Sequence, residues 1–517
     1  MRSPPPKLRE YSRGAQGPGP IEVSLSSRRI TRRNPEMRSS TLLRLAAASL
    51  LCLGLGFRIE AQSPESTNPT ADLLSELIRV NTSNPPGSTK PLDELLAEKF
   101  RPLGFDVQII PTPEPERTFF IARLKGDGTE KPVLLAAHGD VVGVERDKWT
   151  VDPFAGVVKD GYVYGRGAMD FKGGIAVFAE AVMRLVKNHV PLHRDVILLS
   201  EADEESGPYN TSWLAESHWN LMDCEFALNE GGWIIESASG KVQYVSISTA
   251  DKMSVPLILT ATGTSTHSSM PRPDSAIFTL SKAMARLADY ETPPDLIPST
   301  REFFETLAKT SEPPMSNYYS NLVSSKDPKA VEEAAREISK NVLFHAIMRN
   351  TIAPVFLKAG FRGNVIPGSA EATLNLRIIP GTDIQKFIEQ IRGVVNDPRV
   401  EVALPSTNTP EGARIAAFIQ KAGSLQPSTK DTSLYRALEQ SAKSVWPGVP
   451  VTPYLFQAGT DAIAWRSRGV PVYGIYPYPI TADDLTRMHG NDERVSVKSL
   501  EEGTDMIYKT LVQVESK

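Results

Sequence analysis

The sequence predicts an α/β fold. Helices cover a mostly parallel sheet, built from two separated stretches of chain and interrupted by a smaller α+β unit. Three observations carry this reading. A continuous apolar run at 132–137 lacks the alternation of a half-exposed strand and suits a strand buried on both faces of a parallel sheet, and 195–200 and 224–228 read as further buried strands. Between and before them lie stretches of helical period, at 71–80, 92–103 and 173–187. From 255 onward the pattern changes to the order β-α-β-β-α-β, that of a small sheet with helices on one side.

Taken in order, 71–80 has an amphipathic helical pattern and 81–90 is a loop of Pro and Gly. A second helix at 92–103 carries Leu92, Leu95, Leu96 and Phe100 on one face. Segments 105–110 and 118–124 alternate as strands. The smaller unit then has a strand at 255–262, a helix at 275–288, strands at 352–358 and 370–379, a helix at 383–395 and a strand at 400–404. Residues 290–345 form a long, mostly helical insertion after its first helix. The chain returns to helices and short strands at 433–444, 451–455, 463–466, 472–475 and 500–514. Pro471 opens the fourth of these, where a strand tolerates proline. The expected organisation is a sandwich domain in two segments, 62–250 and 406–517, around a lid domain at 251–405. A hinge is expected near 249–253 and 403–410.

Length and charge narrow the functions. With 517 residues the chain exceeds one ordinary core. Hydrophobic residues at 40% and charged residues at 23% exclude wholesale disorder and a multi-span membrane protein. Residues 1–61 hold eleven Lys/Arg and four Asp/Glu, a local +7, so the net charge of -4 leaves -11 on the rest. A body that acidic is a poor partner for phosphate backbones, and no nucleic-acid ligand is expected. Positions 1–36, rich in Pro, Ser, Gly and Arg, are expected to be a disordered or untranslated extension. Met37, Arg38 and Arg44 precede an apolar run from Leu45 to Phe57, the form of a secretory signal peptide over 37–61 ending at Ala61. That run, about 13 residues, falls short of the about 20 that a spanning helix needs. The expected destination is export, to periplasm or medium, with no stable membrane span after processing. Only Cys52 and Cys224 are present, so no cysteine-rich metal site exists. A metal would rest on His, Asp and Glu.

The informative polar residues stand at the ends of the buried strands, where ligands of open α/β sheets collect. The first run ends in His138-Gly139-Asp140. The second leads into Glu201-Ala202-Asp203-Glu204-Glu205-Ser206-Gly207, and the third into Asn229-Glu230-Gly231. Between the first two lies the loop Gly165-Arg166-Gly167-Ala168-Met169-Asp170-Phe171-Lys172-Gly173-Gly174, which opens a helix. Alone, each has a plain reading: an HxD in a surface turn, a solvated acidic run, a tight turn. A phosphate loop is disfavoured because Asp170 would repel the anion and no GK[ST] follows. Together they gather acids on one sheet edge, where like charges at interior dielectric repel by several kcal/mol. A divalent cation is the simple neutraliser.

Joined to Gly263-x-x-x-His267-Ser268-Ser269-x-Pro271 and Met488-His489-Gly490, this set resembles the M20 metallopeptidase family of aminoacylases, desuccinylases and glutamate carboxypeptidases. The resemblance runs from about residue 70 to the end. The insertion and the segments 356–367 and 487–495 look closest to the secreted N-fatty-acyl-amino-acid synthase/hydrolase branch. It implies a zinc-peptidase α/β/α sandwich with a lid, and two Zn²⁺ ions, with Co²⁺ or Mn²⁺ as substitutes. Asp170 would bridge the ions, His138 and Glu230 would complete one site, and Glu205 and His489 the other, a ligand chemistry suited to zinc. Asp140 would accept a hydrogen bond from His138 and fix its tautomer. Glu204 would be general base and then acid, kept off the metal because neighbours in extended chain point to opposite sides. The peptide after Asp170 would be cis.

From the lid, His267 would stabilise the oxyanion, while Asn364 and Arg377 would hold a substrate carboxylate or carbonyl, and Gly459 and Thr460 would lie in a substrate loop. The family's position before Glu230 is often Asp, and here it is Asn229. The implied activity is hydrolysis of an amide next to an amino-acid carboxylate, in a small peptide or an N-acyl amino acid, by metal-bound hydroxide. A homodimer through the lid is implied too. Rival readings are an exported binding or scaffold protein on the same fold, and a serine or cysteine hydrolase. The second lacks a GxSxG elbow. His189, His193, His218 and His345 are expected to be structural, as is Cys224.

Overall fold

The computed structural model describes residues 68–423 and 425–515. The expected extension at 1–36 and signal peptide at 37–61 lie outside the described residues. Among these, no helix is long and apolar enough to cross a membrane.

A ten-stranded sheet forms the centre of the molecule. Its middle strands, Val196–Glu201, Val133–His138, Phe226–Asn229 and Val472–Gly474, run parallel side by side. The hairpin Asp106–Pro111 and Thr118–Leu124 extends one side antiparallel. On the other, the long strand Val242–Asp251 pairs with Val472–Gly474, Ile234–Glu236 and Val451–Phe456.

The apolar runs sort by residue parity. Val133, Leu135, Ala137, Val196 and Leu198 enter one core, with the helices Pro69–Arg79, Lys172–Lys187, Ser433–Val445 and Val497–Glu515. Leu134, Ala136, Ile197 and Leu199 enter the other, with Leu214, Met222 and Trp465 from the short helices Thr211–Ser217, Trp219–Met222 and Ile463–Arg466. Period-two side chains buried on both sides make an α/β/α sandwich. Cys224 belongs to the second core.

A separate four-stranded antiparallel sheet has the order Thr351–Ala359, Ser369–Ile378, Met253–Thr262, Val400–Ala403. Alternate residues of its central strands, such as Leu257, Leu259, Ala372 and Leu374, pack beneath the helices Ala276–Ala288 and Ile384–Val395. This is the β-α-β-β-α-β order the sequence predicts. Its outer strand Thr351–Ala359 carries Phe356 and Leu357 exposed.

The helical insertion consists of Pro298–Thr310, Met315–Ser324, Pro328–Ile338 and Val342–Met348. Its apolar side chains join the large sheet's core rather than the small sheet's. The Phe303 ring meets those of Tyr244 and Tyr454 with centroids 5.5 and 5.2 Å apart. A small sheet of Arg494–Ser496, Tyr162–Tyr164 and Val157–Lys159 ties the region around residue 490 to the loop at 165.

Candidate metal centre and active site

His138 ends its strand opposite Glu201 in the parallel register. Glu230 follows the strand Phe226–Asn229, and Asp170 precedes the helix Lys172–Lys187. The Asp170–Phe171 peptide is cis, as the resemblance implied. Three loops from one edge of the sheet therefore meet a fourth that carries His489.

Asp170 stands at the centre. One carboxylate oxygen lies 3.1 Å from His138 Nε2, and the other lies 3.0 Å from His489 Nε2. Glu230 Oε2 is 3.7 Å from His138 Nε2, and Glu205 Oε1 is 3.2 Å from His489 Nε2. Ligand atoms of His138, Asp170 and Glu230 fall within 4.8 Å of one another, and so do those of Asp170, Glu205 and His489. The two triads share Asp170. Two imidazoles and three carboxylates, without thiolate, fit a pair of divalent cations of the zinc, cobalt or manganese kind.

The geometry departs from expectation at Glu204. Its carboxylate does not turn away from that of Glu205: both approach His138 within 4.8 Å. The chain there is not extended. It bends through Asp203 at φ 65°, and Asp140 Oδ1 and Oδ2 accept the N–H groups of Glu204 and Glu205 at 3.1 Å each. The Asp140 carboxylate thus fastens the acidic loop. His138 Nδ1 is 2.9 Å from the Asp140 backbone oxygen and 3.6 Å from its carboxylate, so the carbonyl fixes the tautomer. Gly207, at φ 139°, closes the bend, where a Cβ would meet Asp203 Oδ2 at 2.2 Å.

Several supporting residues were not foreseen. Asn84 Nδ2 donates to Asp140 Oδ2 at 2.8 Å, to Asp203 Oδ1 at 2.8 Å and to the Ser206 carbonyl at 2.7 Å. Tyr476 Oη lies 2.8 Å from Glu230 Oε2 and 3.1 Å from Asp170 Oδ1. Glu493, fully buried, accepts the N–H of Met169 at 2.7 Å and of Asp170 at 3.1 Å, and pairs with Arg166. Arg166 in turn donates to the carbonyls of His489 and Gly490 at 3.1 and 2.8 Å. Asn84 and Tyr476 sit in a Pro/Gly loop and an aromatic run, and their types give no signal. Arg166 lies in the quoted motif, but its partner does not.

Asn229 is explained by its neighbours. Its amide donates to Glu201 Oε1 at 3.0 Å and its oxygen accepts the Glu230 N–H at 2.8 Å. Lys172 caps the helix Pro69–Arg79, donating to the carbonyls of Leu77 and Val80 at 3.1 and 2.6 Å.

The electrostatics show a demand for positive charge. Burial opposes ionisation of Asp170, yet hydrogen bonds from His138 and His489 hold its carboxyl well below the ordinary range. Burial also opposes charge on His138, but its bonds to Asp140, Asp170 and Glu230 win and raise it. His489 is drawn up to about 10 by its bonds to Asp170 and Glu205. Burial pushes Glu230 up to about 7, and burial with the nearby Glu230 charge raises Glu204 well above its ordinary value. In the protein alone, protons on imidazole and carboxyl stand where cations would otherwise balance the acids.

The lid residues stand apart from these contacts. His267 and Asn364 are exposed neighbours on a two-stranded ribbon, with the Ser268 N–H bonded to the Asn364 carbonyl at 3.0 Å. His267 Nδ1 accepts the Ser269 N–H at 3.2 Å, which leaves the ring's proton on Nε2. Arg377 is half-buried. Desolvation lowers it, and the Glu204 carboxylate opposes that fall. Gly459 and Thr460 line a different cleft, with Lys252 and Ile379. The Thr460 hydroxyl is committed to Asp251 at 2.7 Å. His193 pairs with Asp127 at 2.9 Å, away from the cluster.

The model of peptidase family M20/M25/M40 matches residues 134–513. The chain belongs to this family. Among its relatives, N-fatty-acyl-amino acid synthase/hydrolase PM20D1 of Homo sapiens is 30% identical over 397 residues, 75% of each protein. Probable carboxypeptidase S-like 2 of Dictyostelium discoideum is 30% identical over 398 residues, 75% of this chain and 73% of the relative. In fold, the chain is similar to an M20 metallo-carboxypeptidase of Sulfolobus solfataricus, with a TM-score of 0.60 at 17% identity, covering 86% of this chain and 98% of that one. Its fold and its class, a metallopeptidase or amidohydrolase of family M20, are those the sequence predicted.

Proposed function

We propose that the protein is a two-zinc hydrolase of an amide bond adjacent to an amino-acid carboxylate. The observation that supports this best is the Asp170 carboxylate held between His138 and His489, with Glu230 and Glu205 completing two triads and Glu204 beside them. A human relative named for N-fatty-acyl amino acids and a carboxypeptidase S-like relative both fit that bond. Metal ions at these ligands would supply Lewis acidity to the scissile carbonyl and to a water molecule. Glu204, with its raised affinity for a proton, takes the proton of the attacking water and returns it to the leaving amine. Arg377 offers a planar fork to the substrate carboxylate, and Asn364, on the ribbon with His267, offers its amide to a substrate carbonyl or carboxylate. His267 presents its Nε2–H to the developing oxyanion, from the lid's own chain or a neighbouring subunit's. Gly459 and Thr460 shape the substrate loop. With both products abundant the same site would run toward condensation.

The organisation that accompanies this reading is a hydrolytic domain of 62–250 and 406–517, and a lid at 251–405 that dimerises. The exposed outer strand with Phe356 and Leu357, and Phe361 beyond it, supports such pairing, since exposed apolar strand edges invite a partner. Export follows from the leader form of residues 37–61. The rival, a binding protein on the same fold, has no use for Glu204 beside five ligands.

The deciding experiment is release of amino acid from N-acyl amino acids and dipeptides, before and after chelation and with zinc restored, for wild type and Glu204→Gln. Chelator-sensitive turnover, lowered about 10²–10⁴-fold in the variant with metal content unchanged, is expected. No turnover on any member of the panel, or turnover indifferent to chelator, sinks the proposal.

A further inference from the structure

Glu204 and Glu205 both come within 4.8 Å of His138, so the alternation of an extended strand does not keep base and ligand apart. Something else must set where each carboxylate stands. The loop that carries them bends through Asp203, whose φ of 65° lies in the left-handed region. A residue with a Cβ keeps that conformation only where its surroundings hold it.

The hold comes from two segments remote in sequence. Asp203 is buried, and its Oδ1 accepts Arg117 Nη1 at 2.7 Å and Asn84 Nδ2 at 2.8 Å. Its Oδ2 accepts the Tyr209 N–H at 2.9 Å. The same Asn84 nitrogen donates to Asp140 Oδ2 and to the Ser206 carbonyl, so one amide grips the loop on both sides of the two glutamates and also the carboxylate that takes their N–H groups. Arg117 is half-buried, and its Nε donates to the Pro86 carbonyl at 2.8 Å. Its fork thus serves two acceptors at once and ties the segment 84–86 to the loop. That segment is itself anchored beside the metal-site strand: the Asn84 N–H bonds the Val141 carbonyl at 2.8 Å, and the Thr82 hydroxyl bonds the Gly139 carbonyl at 2.6 Å. Arg117, Asn84 and Asp203 belong to none of the candidate ligand triads. We propose that Arg117 and Asn84 are positioning residues for the hydrolysis. Acting through Asp203, they hold the bend that keeps Glu205 on His489 and leaves Glu204 free to take the proton of the attacking water. The proposal rests on the amide-hydrolase reading above and adds what fixes its base in place.

The test uses Arg117→Met, which keeps the aliphatic stem and removes the fork. Arg117→Lys keeps the charge as well, without the planar fork, and guards against loss of the fold. In the metal-free protein, amide exchange over 203–207 should quicken at least about tenfold in Arg117→Met and at least about threefold in Arg117→Lys, while the strand Phe226–Asn229 exchanges as in the wild type. On an N-acyl amino acid or dipeptide that the wild type cleaves, kcat should fall about 10²-fold in Arg117→Met, the effect of misplacing a reacting group by about 1 Å, with KM within about twofold. In the Glu204→Gln background the same substitution should cost less than about threefold, because the base whose place it sets is gone. Exchange over 203–207 as in the wild type, or a loss of kcat that multiplies in full with that of Glu204→Gln, overturns the positioning role and leaves the hydrolase reading standing. A wild type inert on the whole panel overturns both.

Discussion

Glu493 should govern the metal centre without touching it. One oxygen takes the N–H of Met169 and Asp170, and the other meets Arg166, whose second amine holds the carbonyls of His489 and Gly490. A single buried pair therefore sets the spacing between the Asp170 carboxylate and His489 across from it. Glu493→Gln keeps the shape and one acceptor but leaves the buried Arg166 uncompensated. Breaking a buried pair in this way costs about 3–5 kcal/mol. If the loops relaxed independently, all of that would appear as lost stability. Because the pair joins two ligand loops, part should appear as weaker metal binding, about 10–100-fold, the usual effect of disturbing residues that orient ligands. The assay is zinc affinity by competition with a chromophoric chelator, alongside denaturant unfolding with and without zinc. Leu134→Ala, a cavity on the sheet's other face that costs about 2–5 kcal/mol, serves as the control of comparable instability. A Glu493→Gln protein that binds zinc as tightly as the Leu134→Ala protein refutes the argument that the pair positions the ligands.

Tyr476→Phe removes the hydroxyl 2.8 Å from Glu230 and 3.1 Å from Asp170, and should lower zinc affinity about 10–100-fold while the fold persists, by the same chelator competition. Cys224 is buried and its thiol is pushed up by that burial, so it should resist a thiol reagent until the protein is unfolded, as absorbance of the released chromophore would show. In the metal-free protein, His489 is raised from 6.5 to about 10, so its contribution is fully present below about pH 6.5 and is lost as pH rises through 10. Glu230 is raised from 4.5 to about 7, and the native state holds its proton longer than the unfolded one, so stability also falls between those values. Denaturant midpoints of the metal-free protein should therefore decline from about pH 5 to 10, and zinc uptake near neutral pH should release protons that an indicator dye can count.

How far the sequence could be read depended on whether polarity meant exposure. His138, Glu205 and Glu230 were readable because each interrupts or follows an apolar run, and a strand buried on both faces has few other places to put a charge. The strand Val242–Asp251 escaped because Ser246, Ser248 and Thr249 break its apolar pattern, although all three are buried. Ser246 spends its hydroxyl on the backbone of Trp233, at 2.8 and 3.0 Å, and Ser248 on the Ala250 carbonyl at 2.9 Å, so these residues are satisfied inside. Glu493 escaped for the same reason, an acid in a polar stretch whose partner lies 327 residues away. The opposite-faces argument for Glu204 and Glu205 failed because it assumed extended chain where Asp140 draws both amides into a bend. The helices of 290–345 were legible as helices, but period alone cannot say which sheet they cover.

The site's composition argues that cation and fold are one problem. Asp140, Asp170, Glu201, Glu204, Glu205, Glu230 and Asp461 crowd one end of the sheet, and each pair of like charges at 4 Å costs about 4 kcal/mol even at an effective dielectric of 20. The protein answers in layers. Asp140 is absorbed by amides and Asn84. Burial raises both Glu201 and Asp461, and Asp461 raises Glu201 further, so protons cover part of their charge. What remains uncovered is Asp170 with Glu205 and Glu230, each turned toward a histidine. A purely structural cluster would have ended with a lysine or arginine in that gap, as Arg166 ends the charge of Glu493. Here the cations close by are committed elsewhere: Arg117 pairs with Asp203 at 2.7 Å, and Lys172 spends its ammonium on the carbonyls of Leu77 and Val80. The chain thus leaves positive charge at this cluster to be supplied from outside, as metal at these ligands would do, a need that a purely structural cluster does not have.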